Sequence, residues 1–184
     1  MDTNWLSVVI EEYKTLREES LTSIKTQQST LAFGTAALGL VLTKGFELWD
    51  KPPLPEIIFL GITPILCYLI LYIWIGEVAR MMRAGKFIAF LEDKVNSQFP
   101  TGPKALEWET WLRTPGLHTK SPQTTSNYFA ILALFFSTAI ISIGIGGIKI
   151  KNNDSLGLIG CVELVIFLFV FFRIASIGYR CMKS

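Results

Sequence analysis

The chain has 184 residues, of which 51% are hydrophobic and only 17% charged, with a net charge of +2. A soluble domain carries about 25% charged residues. The low charge, a mean hydropathy of +0.44 and four long uncharged blocks exclude a disordered chain, a disulfide scaffold and an ordinary soluble enzyme, and predict an all-α integral membrane protein.

An amphipathic helix is expected over residues 1–25. Leu6, Val9, Tyr13 and Leu16 follow three-four spacing, joined by Ile10 and Ile24. Acids outnumber bases five to three there, which disfavours an anionic lipid surface and favours another protein helix. We therefore assign Leu6, Val9, Tyr13 and Leu16 to an oligomer contact. Nothing between Asn4 and Gly34 breaks a helix, so this helix should run unbroken into the first apolar block. The run Glu12-Tyr13-x-x-Leu16-Arg17-x-Glu19 resembles the N-terminal helix of an uncharacterised group of bacterial four-span membrane proteins. The resemblance covers about the first quarter of the chain and implies no activity.

Four blocks read as membrane spans: 26–43, 57–76, 127–148 and 155–172. Each is close to the ~20 residues that cross a bilayer. They form two hairpins, 26–76 and 127–184, separated by a helical segment and loop over 77–126. Thirteen Lys and Arg lie before span one, between spans two and three, and after span four, against four in the two short hairpin loops. The positive-inside rule then places both termini and the central segment in the cytoplasm, the expected location being a bacterial inner membrane.

Span two should continue as a helix through Asn96, because Val78, Met81, Met82, Phe87, Ile88, Leu91 and Val95 keep helical spacing. Gly85 costs that helix about 1 kcal/mol relative to Ala. A short helix is expected from about Pro103 to Leu112, with Trp108 and Trp111 either anchoring at the membrane surface or plugging the space between cytoplasmic helices. Pro115, Gly116 and Pro122 mark a loop.

Few residues point to chemistry. Glu163 is the one acid inside a span, and such groups are functional candidates. Thr35, Thr63, Thr138 and Ser142 lie at similar depth and complete a polar layer, either as structural partners of a neutral Glu163 or as the lining of a wet path. Pro64 interrupts span two and frees the carbonyl of Leu60, as a packing kink or a gating hinge. Thr35-Gly39-Thr43 and Thr138-Ser142-Gly146 are small-residue faces that suit close helix contacts. His118 is the only histidine, and Cys67, Cys161 and Cys181 show no metal spacing. No cofactor, metal or catalytic residue is expected, and the balanced charge disfavours nucleic acid.

Two functions fit these residues. The first is a homo-oligomeric pore or channel whose cytoplasmic helices assemble or sense, including a bacterial membrane effector. The alternative is a non-conducting scaffold or partner subunit that docks another protein. The expected partners are the lipid bilayer, further copies of the chain and, for the scaffold, a cytoplasmic protein.

Overall fold

The computed structural model describes residues 3–98, 104–113 and 122–149, together with the single positions Val165, Leu168, Phe169, Phe172, Arg173 and Ser176. The described residues are helical or in short turns and contain no strand. Helix α1 runs Thr3–Glu47 without a break over 45 residues. After a tight connection come the single turn α2, Leu54–Glu56, a π-helical segment, Ile57–Ile62, and α3, Thr63–Asn96. Helix α4 is short, Trp108–Arg113, and α5 runs Pro122–Lys149. Three helical stretches are long and apolar enough to cross a membrane: Trp5–Glu47, Leu54–Asn96 and Asn127–Lys149. Span four lies outside the described residues apart from the single positions above.

The chain divides into two compact units. The first comprises Met1–Gln27 and Gly76–Ser126, the second Gln28–Ile75 and Asn127–Ser184. In the first unit α1 packs on α3. Val9, Leu91 and Val95 are buried, with Trp5, Leu6, Leu16 and Leu106 against them. The stripe assigned to an oligomer contact therefore finds its apolar partners inside its own unit. The reason is that α3 presents a matching stripe at Ile88, Leu91 and Val95, all buried.

The second unit is centred on Leu38, Cys67, Ile70, Leu71, Phe135 and Ala139. Close approach is set by three glycines. A Cβ on Gly34 would meet Ile70 at 2.8 Å, one on Gly45 would meet Phe59 at 2.7 Å, and one on Gly146 would meet Leu60 at 2.6 Å. Phe46, Trp49 and Phe59 form an aromatic cluster, with Phe46 and Phe59 edge-to-face at 5.1 Å. The Lys149 ammonium lies 4.3 Å from the Trp49 ring, a cation–π contact. Much of the apolar surface nevertheless faces outward. Only 11%, 44% and 28% of the most apolar stretches of the three long helices are buried, so they need lipid or another chain as a covering.

Candidate functional site

The chemistry of the first unit gathers around Glu92, which is fully buried. The backbone N–H of Glu109 and the Tyr13 hydroxyl donate to its Oε1 at 2.8 and 3.3 Å. The backbone N–H and the hydroxyl of Thr110 donate to its Oε2 at 2.8 and 2.7 Å. Four donors on two oxygens suit an acceptor-only carboxylate. Glu109 and Thr110 open α4, whose first N–H groups have no intrahelical partner, so Glu92 caps that helix from α3. Burial, reinforced by the Glu92 charge, pushes the Tyr13 phenol up from its ordinary pKa, which keeps it protonated and donating through the neutral range.

One turn along α3, Asn96 holds the approach to α4. Its Oδ1 accepts from the N–H groups of Ala105 and Leu106 at 2.9 and 3.2 Å, and its Nδ2 donates to the Leu106 carbonyl at 2.6 Å. These bonds explain why α4 begins at Trp108, later than the helix expected from about Pro103. The N–H groups of residues 105 and 106 bond a side chain, and the cap falls on Glu109 and Thr110.

Beside this centre lies a cleft of about 300 Å³. Leu21, Ile24, Met81, Met82 and Ile88 supply apolar walls, Gly85 lines it without a side chain, and Tyr13, Arg17, Ser20, Trp108 and Glu109 supply the polar and aromatic part. The Arg17 guanidinium carbon lies 4.9 Å from the centre of the Trp108 ring. The Trp108 side chain thus takes part in packing around α1 while staying 48% exposed. The side chain of Trp111 lies outside the description.

In the second unit the polar residues predicted to form one layer have separate roles. Thr63 is buried and its hydroxyl donates to the Ile58 carbonyl at 2.9 Å. Ser142 is buried and donates to the Phe59 carbonyl at 2.7 Å. Thr35 and Thr138 each bond a carbonyl one turn back on their own helix, Leu31 and Leu134. Thr35 is on an exposed face and Thr138 is half-buried. Glu163 and His118 lie outside the described residues.

Pro64 lies just beyond the π-helical segment, after Thr63, and this changes which carbonyl it strands. The Thr63 N–H bonds the Ile58 carbonyl, five residues back. In that register an N–H at position 64 would reach Phe59. Proline has none, and Ser142 from α5 fills the place. The acceptor that needs a partner is thus Phe59, where an α-helical reading pointed to Leu60.

The Glu92 centre escaped sequence reading, although a signal was present. Position 92 falls on the same face as Ile88, Leu91 and Val95, so a carboxylate there interrupts a buried apolar stripe. Comparison with protein families, with curated proteins and with solved structures gives no match.

Proposed function

We propose that the chain crosses the membrane four times with both termini in the cytoplasm, and that several copies assemble into a pore whose cytoplasmic unit assembles or senses. The observation that carries this reading is the uncovered small-residue face of α1. The second unit uses Gly34, Leu38 and Gly45 for its own packing. Thr35, Gly39 and Thr43 remain exposed, and a Cβ on Gly39 would meet nothing within 4 Å. Thr35 and Thr43 turn their hydroxyls onto their own backbone, at Leu31 and Gly39, and this leaves a surface that another helix can approach closely. Among the described residues of the second unit, Phe135, Cys67 and Leu38 pack into one buried cluster, so we place the conduction path between copies.

Purified protein in planar bilayers is expected to give discrete currents. Glu163→Gln removes a fixed negative charge and is expected to shift the reversal potential in a cation gradient while the protein still folds. Silent bilayers, or identical reversal potentials, would remove Glu163 from any conduction path. Orientation is read separately. Single cysteines at positions 48 and 152, in a cysteine-free background, should react with an impermeant thiol reagent from outside the cell, and one at position 118 should not.

The exposed pair Phe87 and Phe90, with rings 5.8 Å apart on α3 of the first unit, favours the second reading, a non-conducting scaffold that docks a cytoplasmic protein. Exposed aromatic side chains of this kind are common at protein interfaces.

A further inference from the structure

We propose that the outer face of α3 in the first unit docks the outer face of α1 from a second copy of this chain. This deepens the assembly reading above, and rests on it, by naming the contact outside the spans. Arg80, Arg83, Phe87, Phe90 and Lys94 follow three-four spacing on α3 and are all exposed. The Phe87 and Phe90 rings lie 5.8 Å apart. Such spacing draws one stripe along a helix and is the spacing of a helix-pairing seam. The stripe points away from the chain's own core, because Phe90 lies about half a turn around α3 from the buried Ile88.

The occupant follows from charge. The α3 stripe carries three bases and no acid, with Lys86 and Asp93 on its flank. On α1, Val8, Glu11, Thr15, Glu18 and Thr22 follow the same spacing and are likewise exposed. This is a different face from Leu6, Val9 and Leu16. It carries two acids and no base, with Glu12 and Glu19 on one side and Lys14 and Arg17 on the other. Within the chain, Glu11 meets Lys14 at 3.8 Å, Arg80 meets Glu77 at 3.4 Å, and the Lys94 ammonium lies 5.9 Å from the Trp5 ring. Surface pairs of this kind are worth little, so they yield to a partner. The Thr15 hydroxyl donates to the Glu11 carbonyl at 3.0 Å, so the middle of the α1 stripe gives the two phenylalanines a small surface with its donor already paired.

Height along the helices is the second argument. Tyr13 bonds Glu92, and Val9 packs with Leu91 and Val95, so α1 and α3 run antiparallel in a fixed register. Continuing that register puts Glu11 level with Lys94, Thr15 level with Phe90, and Glu18 level with Phe87, one turn from Arg83. Rotation about an axis parallel to the helices leaves height unchanged. In a head-to-tail ring the same residues therefore meet between neighbouring copies. The complementary stripe lies on the same chain at the required height, which commits the α3 face to a second copy. Exposed ion pairs are weak one by one, so this contact orders the copies while the membrane face of α1 supplies the affinity.

The test uses the full chain in nanodiscs, in a cysteine-free background carrying Thr15→Cys and Phe90→Cys, which leave every charge in place. A mild oxidant should join neighbouring copies into a ladder of disulfide-linked species. Ile10→Cys in place of Thr15→Cys moves the thiol to the other flank of α1 and should give no ladder. Glu11→Arg with Glu18→Arg makes both stripes basic, and Arg83→Glu with Lys94→Glu makes both acidic. Each of these proteins alone should lose the ladder about fivefold or more, as attractive pairs become repulsive. Mixing the two should restore it, because each basic stripe then meets an acidic one. Rings in particle images without a ladder would overturn this contact and leave the α3 face to another protein, with the assembly reading intact. Single chains without a ladder would remove both. An undiminished ladder from either charge-reversed protein alone, or a mixture that stays unlinked, would also overturn the contact.

Discussion

Replacing Glu92 with leucine is expected to cost about 3 kcal/mol, because it takes the acceptor from the part-buried N–H groups of Glu109 and Thr110 and from the Tyr13 hydroxyl, at about 1 kcal/mol or more for each. For a chain of this size that corresponds to a fall of roughly 6–12 °C in Tm. Glu92→Gln should also destabilise, for a geometric reason. Each carboxylate oxygen faces two donors, so either orientation of the amide turns its NH₂ group against a pair of them. Tyr13→Phe removes only the longest of the four bonds and should cost about 0.5–1.5 kcal/mol. Thermal unfolding followed by tryptophan fluorescence gives the ranking Leu and Gln well below Phe, with Phe slightly below wild type. Freeing α4 should also speed tryptic cleavage at the exposed Lys104. Unchanged Tm and cleavage in Glu92→Leu would contradict the role assigned to this carboxylate.

The second large effect is expected where α5 meets the π-helical segment. Ser142→Ala leaves the Phe59 carbonyl without its hydroxyl donor in an apolar setting, at a cost of roughly 0.6–2 kcal/mol on membrane-protein scales. Gly146→Val acts one turn away. Its Cβ alone would lie 2.6 Å from Leu60 Cγ, and overpacking of this kind costs about 1–3 kcal/mol. The two sites share one contact surface, through Phe59 and Leu60, so the double variant should be non-additive. Pro64→Ala offers a complementary check. An N–H restored at position 64 can bond within its own helix, so Ser142→Ala should cost less in that background. Equal costs in both backgrounds would show that Ser142 does not serve the acceptor left by the proline.

The helical class and three of the apolar stretches are legible in the sequence, because an unbroken run of good helix formers needs no tertiary information. Helix α1 contains no proline at all, and the spacing of Val78, Ile88, Leu91 and Val95 carries α3 through to Asn96. The features that escape reading depend on residues far apart in sequence. The start of α4 at Trp108 is set by Glu92 and Asn96, a dozen or more residues earlier, in place of the local proline signal. The π-helical register arises where Pro64 must coexist with α5, and it moves the orphaned carbonyl by one residue. Gly34 and Thr35 are adjacent in one run of small residues, yet it is Gly34 that faces Ile70. A one-residue difference in helical phase decides which face packs inward, and spacing alone does not supply that phase. The apolar stripe at Leu6, Val9 and Leu16 is plain in the sequence, whereas its partner on α3 emerges only when the two helices lie side by side.

Assembly through the open face of α1 is the claim on which the pore reading rests, and particle images of the protein in nanodiscs test it directly. Wild-type protein should appear as several copies around a central axis. Gly39→Leu should yield single chains of unchanged helicity, because a Cβ at position 39 meets nothing within its own chain and leucine favours a helix over glycine. Single chains already in the wild type, or rings that persist in Gly39→Leu, would contradict assembly through this face.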